Sequence, residues 1–270
     1  MRTFIVSDLH GDGFMYDMIM KYLDHIGEKE EVTLYINGDL IDRGYGCFRM
    51  LIDVMERANG RKGNINVEYL AGNHELMLYQ AHLNRKKDGS FPKLSDWYLN
   101  GGKTLGIVIE QLEQNEQSQI ITFISNLKIY NKFPEKIQNR NILLVHAAAP
   151  KIVKDKCDLT IQDNNREVFR TLWTRKDDRK IFPPKIGDKN YFTIIGHTPI
   201  RDDCGFYFDK KENYLNIDGG CSGYVLKKQG YDHVPLVEVL DDSLKITVFK
   251  HDGTIYHTYE FDGVDKPKVM

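Results

Sequence analysis

Asp8 and His10, two positions apart, set a carboxylate beside an imidazole just after a strand-like run. The period of two in a strand points such residues to one side if the strand continues to them. There they can hold one borderline divalent cation, manganese first, with iron and zinc as alternatives, whereas calcium asks for oxygen donors almost alone. The plainer reading is a helix-capping Asp8 and a loop histidine. Asp39 lies in the turn Gly38-Asp39-Leu40-Ile41-Asp42-Arg43-Gly44. A carboxylate there can bridge two cations, Asp42 can orient a neighbour, and Arg43 offers the forked guanidinium that grips two phosphate oxygens. An ordinary surface Asp–Arg pair is the alternative. Asn73 and His74 are neighbours, so a tight turn sends one toward a metal and the other toward a substrate. The amide oxygen ligates without adding charge, and the imidazole can deliver a proton near neutral pH. His146 and His197 each close a β-rich run, and taken singly each reads more plainly as a structural histidine.

What joins these residues is where they fall. Strand-like runs at 3–7, 32–37, 65–70, 141–145 and 191–195 each lead directly into one cluster. Helical spacing separates the first of them: Met15, Met18, Ile19, Tyr22, Leu23 and Ile26, then Phe48, Leu51, Ile52 and Met55, with a further helix at 75–82. That alternation predicts an α/β sheet of parallel strands. Ligands bind beyond the carboxyl ends of such strands, so clusters far apart in sequence can converge on one site. Between 84 and 136 the pattern turns to polar loop and helical stretches, read as an insertion. After His197, short strands at 205–209, 214–217, 234–240, 244–250 and 254–260 read as antiparallel. Without a repeat or linker to divide it, the chain reads as a single domain over 1–270.

The composition narrows the function. With 41% hydrophobic and 28% charged residues and a net charge of -2 over 270 residues, the chain is globular and has no basic excess to draw nucleic acid or an anionic membrane. No apolar run approaches the roughly 20 residues of a spanning helix, and no cleavable leader is visible, so the expectation is a soluble, cytoplasmic protein. Cys47, Cys157, Cys204 and Cys221 form no close pair, which predicts neither a zinc knuckle nor a disulfide framework but reduced packing residues.

Together the clusters supply enough N and O donors for two adjacent metals, with a proton donor and cationic grips left over. Their signatures, D-x-H-G from Asp8, G-D-x-x-D-R-G from Gly38 and G-N-H-E from Gly72, resemble those of the calcineurin-like metallophosphoesterases, and specifically the phosphoprotein phosphatase family. His146-Ala147-Ala148-Ala149-Pro150 and Gly196-His197-Thr198-Pro199 resemble the family's later motifs, with Ala148 where a glycine is usual. The resemblance implies a four-layer α/β/β/α sandwich of two mixed sheets with a helical cap insertion near the site. It assigns Asp8, His10 and Asp39 to one metal and Asp39, Asn73, His146 and His197 to the other. It makes His74 the general acid, oriented by Asp42, and Arg43 a phosphate ligand. A second phosphate arginine belongs between the last two histidines, and Arg175 is chosen over Arg166, Arg170 and Arg179. The implied reaction is hydrolysis of a phosphomonoester by direct attack of a metal-bridging hydroxide, without a phosphoenzyme.

The substrate implied is phosphoserine or phosphothreonine in a protein, because Trp97-Tyr98-Leu99-Asn100-Gly101-Gly102-x-Thr104 resembles the insertion of bacterial members; a plain cap helix and turn is the alternative. A symmetrical diadenosine tetraphosphate hydrolase shares the same metal signatures and is the close rival. A nuclease fits less well, since Pro199 stands where those enzymes place another histidine. A non-enzymatic scaffold on this fold usually lacks ligands that this chain retains.

Overall fold

The computed structural model describes residues 1–60, 62–176, 184–201, 204–228, 230–264 and 267–270. The first part follows the α/β rhythm: β1 (Arg2–Val6), α1 (Gly13–Gly27), β2 (Val32–Asn37), α2 (Cys47–Ala58), β3 (Ile65–Leu70) and α3 (Asn73–Leu83), with β1, β2 and β3 parallel neighbours. Asp12 caps α1, its Oδ1 accepting from Met15 N at 3.0 Å. A π-helical turn at Tyr98–Gly102, then α4 (Lys103–Gln111) and α5 (Gln114–Ser125), lead into β4 (Tyr130–Ile137) and β5 (Arg140–Val145). The remainder is α6 (Arg166–Trp173), β6 (Tyr191–Ile195), β7 (Tyr207–Asp209), β8 (Tyr214–Asn216), α7 (Cys221–Val225), β9 (His233–Val239), β10 (Leu244–Lys250), β11 (Ile255–Phe261) and β12 (Lys268–Val269).

The strands form two mixed sheets, β12-β11-β10-β9-β1-β2-β3 and β4-β5-β6-β8-β7. Successive side chains on a strand point to opposite faces, and this sorts the core in two. Ile5, Ile142, Leu144, Ile194, Val237 and Ile246 fill the space between the sheets, where Tyr35 meets Phe133 at 4.8 Å and Phe206 meets Tyr259 at 5.1 Å. Phe4, Val6, Leu34 and Ile36 belong to the other core with Met15, Ile19 and Leu51 of α1 and α2, as do Leu143 and Val145 with Val168 and Leu172 of α6. The result is the sandwich that the resemblance implies, with helices outside two facing sheets.

Two expectations need correction. The stretch 84–136 does not stay apart from the sheets: from Tyr130 it is β4, paired antiparallel to β5. Pro134 and a register shift between Lys132 and Lys136 break the strand's alternation and hide it from periodicity. The tail is not wholly antiparallel either. β9, β10 and β11 are, but β8 runs parallel to β6, with Thr193 opposite Tyr214. The carboxyl end of β8 therefore lies on the same side as those of β5 and β6.

Candidate metal centre

The loops that follow β1, β2, β3, β5 and β6 converge, as strand ends on one side of the sheets must. Their backbone is unusual. Among the described residues eleven non-glycine positions have positive φ, and six of them are Asp8, His10, Asp39, Asp42, Arg43 and His197. Such conformations persist where the surroundings over-determine them, and they gather at functional sites. They also replace the sequence expectation for Asp8 and His10. Strand β1 stops at Val6, and φ values of 56° and 45° aim the two residues rather than strand alternation. Glycine is required where loops touch. A Cβ on Gly38 meets His146 Nδ1 at 2.7 Å, and one on Gly196 collides with the Asp8 carboxylate.

Asp39 is central and almost fully buried. Its Oδ2 faces His10 Nε2 at 3.5 Å, while its Oδ1 faces His146 Nε2 at 3.5 Å. Asn73 Oδ1 lies 3.1 Å from His146 Nε2 and 2.8 Å from His197 Nδ1. The donors thus form two clusters that share Asp39, one with His10 and His74 and one with His146 and His197, each spanning no more than 4.8 Å. Asp8 stands behind them, both of its oxygens accepting the His197 amide N–H at 3.1 and 3.0 Å. The histidines are oriented from behind as metal-binding imidazoles are. His10 Nδ1 donates to Ile41 O at 3.1 Å and His146 Nδ1 to Asn37 O at 2.9 Å, which turns each Nε2 toward Asp39.

The electrostatics favour a cation here. Burial pulls the His146 pKa down, but the charges of Asp39 and Asp8 overcome it and hold the group up to about 10, so the site draws a positive charge onto that ring. Burial raises Asp8 to about 6, with repulsion from Asp39 adding to it and attraction to His146 opposing it. Burial lowers His10 well below its ordinary value, helped by Arg43 and His74, and lowers His197 likewise, helped by His146 and Arg175. Both rings are thereby held in the neutral form, the form of imidazole that ligates a metal. Imidazole, carboxylate and amide donors packed this closely, in a water-poor setting, suit manganese, iron or zinc, and the residues present fit such ions.

Beside this cluster, His74 Nδ1 contacts Asp42 Oδ2 at 2.7 Å. Burial alone would lower His74, yet the charge of Asp39 and the bond to Asp42 leave it above its ordinary value. Arg43 spans the seam, reaching His10 Nε2 at 2.8 Å and His74 Nε2 at 3.0 Å. Arg175 donates from Nε to His197 Nε2 at 3.0 Å and from Nη2 to His197 O at 3.1 Å. Arg170 instead bonds Ala149 O and Glu167, Arg166 does not line the cleft, and Arg179 lies outside the described residues. The cleft over the centre has a volume of about 550 Å³ and is lined by Arg43, Arg175, Lys103 and Lys228 together with Leu99 and Leu226.

Three further residues belong to this site. Asp218, 1% exposed, lines the cleft, and burial with the nearby Asp8 charge raises its carboxyl well above the ordinary range. Glu75 clamps two loops, with Oε2 accepting from the N–H of Asp39 at 2.9 Å and of Gly72 at 2.8 Å and Oε1 accepting from the Tyr69 hydroxyl. Trp97 Nε1 donates to both oxygens of Asp42 at 3.0 and 2.9 Å, and Gly101 O accepts from Arg43 N at 3.2 Å, so the insertion is built into the site. Asp218 could have been found from the run Asn216-Ile217-Asp218-Gly219-Gly220, which ends a strand just as the other clusters do.

A two-sheet sandwich with shared carboxylate and histidine donors at its strand ends is the architecture of a metal-dependent phosphoesterase. The family model for calcineurin-like phosphoesterases matches residues 1–234, and the chain belongs to that family, whose members depend on a dinuclear metal centre and hydrolyse phosphoesters. No curated protein matches the chain significantly in sequence. Solved structures share its fold. A cold-active protein-tyrosine phosphatase from a psychrophilic Shewanella sp. aligns over 94% of this chain and 79% of its own, at 17% identity and TM-score 0.55. A protein serine/threonine phosphatase from Saccharomyces cerevisiae, similar to human phosphatase PP5, aligns over 99% and 81%, at 14% identity and TM-score 0.52. A candidate diadenosine tetraphosphatase aligns over 96% and 93%, at 16% identity and TM-score 0.50. No described helix is long and apolar enough to cross a membrane.

Proposed function

We propose that the chain is a dinuclear phosphomonoesterase acting on phosphoserine and phosphothreonine in proteins, with manganese the first choice of metal. The observation that carries this reading is the sharing of Asp39, one oxygen toward His10 and the other toward His146, with His74–Asp42 and two arginines at the same cleft. Asp8, His10 and Asp39 would hold one ion, and Asp39, Asn73, His146 and His197 the other. When bound, such a pair supplies an acidified water and neutralises charge on the phosphoryl oxygens. The protein's own groups complete the chemistry. Arg43 and Arg175 grip the equatorial oxygens, a planar fork against a planar array. His74, its Nδ1 fixed by Asp42, hands a proton from Nε2 to the departing alkoxide once the phosphoryl oxygens draw Arg43 off that nitrogen. The Asp42-Arg43 turn favours a protein substrate, since the resemblance places it in the phosphoprotein phosphatase branch.

The second reading is hydrolysis of symmetrical diadenosine tetraphosphate. The observation in its favour is the presence of Lys103 and Lys228 in the cleft beyond the two arginines, charge enough for a longer phosphate chain. Manganese-loaded protein assayed in parallel on phosphopeptides and on diadenosine tetraphosphate separates the two by kcat/KM. Higher efficiency on the dinucleotide overturns the protein-phosphatase reading, and metal-dependent hydrolysis of any phosphate ester eliminates a non-enzymatic scaffold.

A further inference from the structure

Away from the cleft lining, three donors from distant parts of the chain meet: Asp12, Cys221 and His251, whose ligand atoms all lie within 4.8 Å of one another. Asp12 caps α1 through Oδ1, and its Oδ2 stands 2.5 Å from His251 Nε2. His251, in the turn between β10 and β11, has Nδ1 3.1 Å from Asp232 O, and the Tyr224 ring stacks on it with centroids 3.4 Å apart. Cys221 begins α7; it is a free thiol, 1% exposed, with no hydrogen-bond partner on another described residue.

This is the arrangement of a metal-binding imidazole: Nδ1 anchored on a carbonyl, Nε2 fixed as a donor. With Nδ1 donating, Nε2 and the Asp12 oxygen at 2.5 Å share a proton; a cation that takes the proton's place spreads the two atoms to about 3.3 Å, as bonds of about 2.0–2.2 Å at a tetrahedral centre require. A proton makes an imidazolium–carboxylate pair and leaves the Cys221 thiol buried beside it without a partner. A cation uses all three groups, and its binding expels the thiol proton. We propose that Asp12, Cys221 and His251 form a metal site of their own. Thiolate, imidazole and carboxylate together select Zn²⁺ or Co²⁺ over magnesium and calcium, and three protein donors leave one tetrahedral position for water. The role is structural. The ion ties the β10–β11 turn and α7 to the start of α1, and α7 carries Ser222 and the adjoining Leu226 into the cleft wall.

The donors assigned to the phosphoesterase centre include no cysteine, so sulfur ligation reports this site alone. Full-length protein loaded with Co²⁺ is examined for thiolate-to-metal charge transfer in the near ultraviolet, with metal counted by native mass spectrometry. The expected result is a band in the wild type, retained in Cys47→Ser and lost in Cys221→Ser together with one ion per chain. A wild type without the band, or a band that survives Cys221→Ser, overturns the site. Should Cys221→Ser fail to fold, His251→Gln keeps the thiol: loss of one ion per chain supports the site, and an unchanged count and band overturn it.

Discussion

Asp42 Oδ2 and His74 Nδ1 meet at 2.7 Å, both residues sealed from solvent and both at the ends of parallel strands' loops. The carboxylate fixes the ring so that Nε2 is the atom that can carry a proton outward. If His74 is the acid, His74→Asn lowers kcat on alkyl phosphates by about 10²–10⁴, the usual yield of general acid catalysis. p-Nitrophenyl phosphate, whose leaving group needs little protonation, loses far less. Equal losses on the two substrates would remove His74 from that role.

Trp97 supports this pair from the insertion through its two contacts to Asp42. Trp97→Phe keeps most of the ring packing against Phe91, 4.8 Å away, and deletes the donor. The buried carboxylate then lacks one partner, a loss of about 1–3 kcal/mol in stability. Thermal unfolding reads that loss. Steady-state kinetics should show kcat falling with KM nearly unchanged, because the indole steadies Asp42 and makes no grip on phosphate.

How much of this was legible in sequence follows from what each residue depends on. β2, β3 and β6 lie at their expected positions because alternating β-branched and aromatic runs are local signals, and the convergence of the clusters follows from parallel strands sharing one end. Asp218 follows a strand-like run, a signal that makes it a candidate, but β8, three residues long, carries no local mark of its direction; its parallel pairing with β6 is what puts Asp218 beside Asp8. The bond from Trp97 to Asp42 joins residues 55 apart, and no spacing announces it. The left-handed backbone at Asp8 and His10 is likewise set by neighbouring loops rather than by their own residue types.

The bridging place of Asp39 makes a sharp metal prediction. Asp39→Asn keeps the shape and removes the charge, so at least one ion is lost or weakly held, and mass spectrometry under native conditions counts it. Full occupancy with full activity would rule out the bridge. Metal must also displace the proton that Asp39 and Asp8 hold on His146, so affinity falls as pH falls and binding releases protons. Calorimetry in buffers of different ionisation enthalpy measures that release directly.

Arg175 differs from its neighbours in reaching His197 at 3.0 Å. Removing a charge-assisted contact worth about 1.5–3 kcal/mol lowers kcat/KM by roughly 10- to 100-fold in Arg175→Ala. Arg175→Lys recovers only part, since an ammonium lacks the fork. Arg170→Ala, which loses bonds to Ala149 and Glu167, is the control: it destabilises the protein and leaves kcat/KM nearly unchanged.

Asp53 gives a prediction about stability that is independent of the metals. Its oxygens accept from Tyr16 Oη at 2.5 Å, from Arg57 Nε at 2.9 Å and from Lys62. Burial pushes its carboxyl up, but those three partners outweigh it and hold the pKa below the ordinary value. A carboxylate with a depressed folded pKa stabilises the fold above its unfolded value, about 3.9, and that contribution is lost as pH falls through the folded value. Asp53→Asn should therefore destabilise the protein at pH 7 by about 1–3 kcal/mol, the scale of a charge-assisted hydrogen bond. Urea unfolding of both proteins at pH 7 and again near pH 3 measures the gap at each end. The gap should narrow toward the acid end, below the unfolded value of about 3.9, where the contribution of the depressed carboxylate begins to be lost; a gap that stays constant would mean that the charge on Asp53 contributes nothing and that shape alone explains the loss.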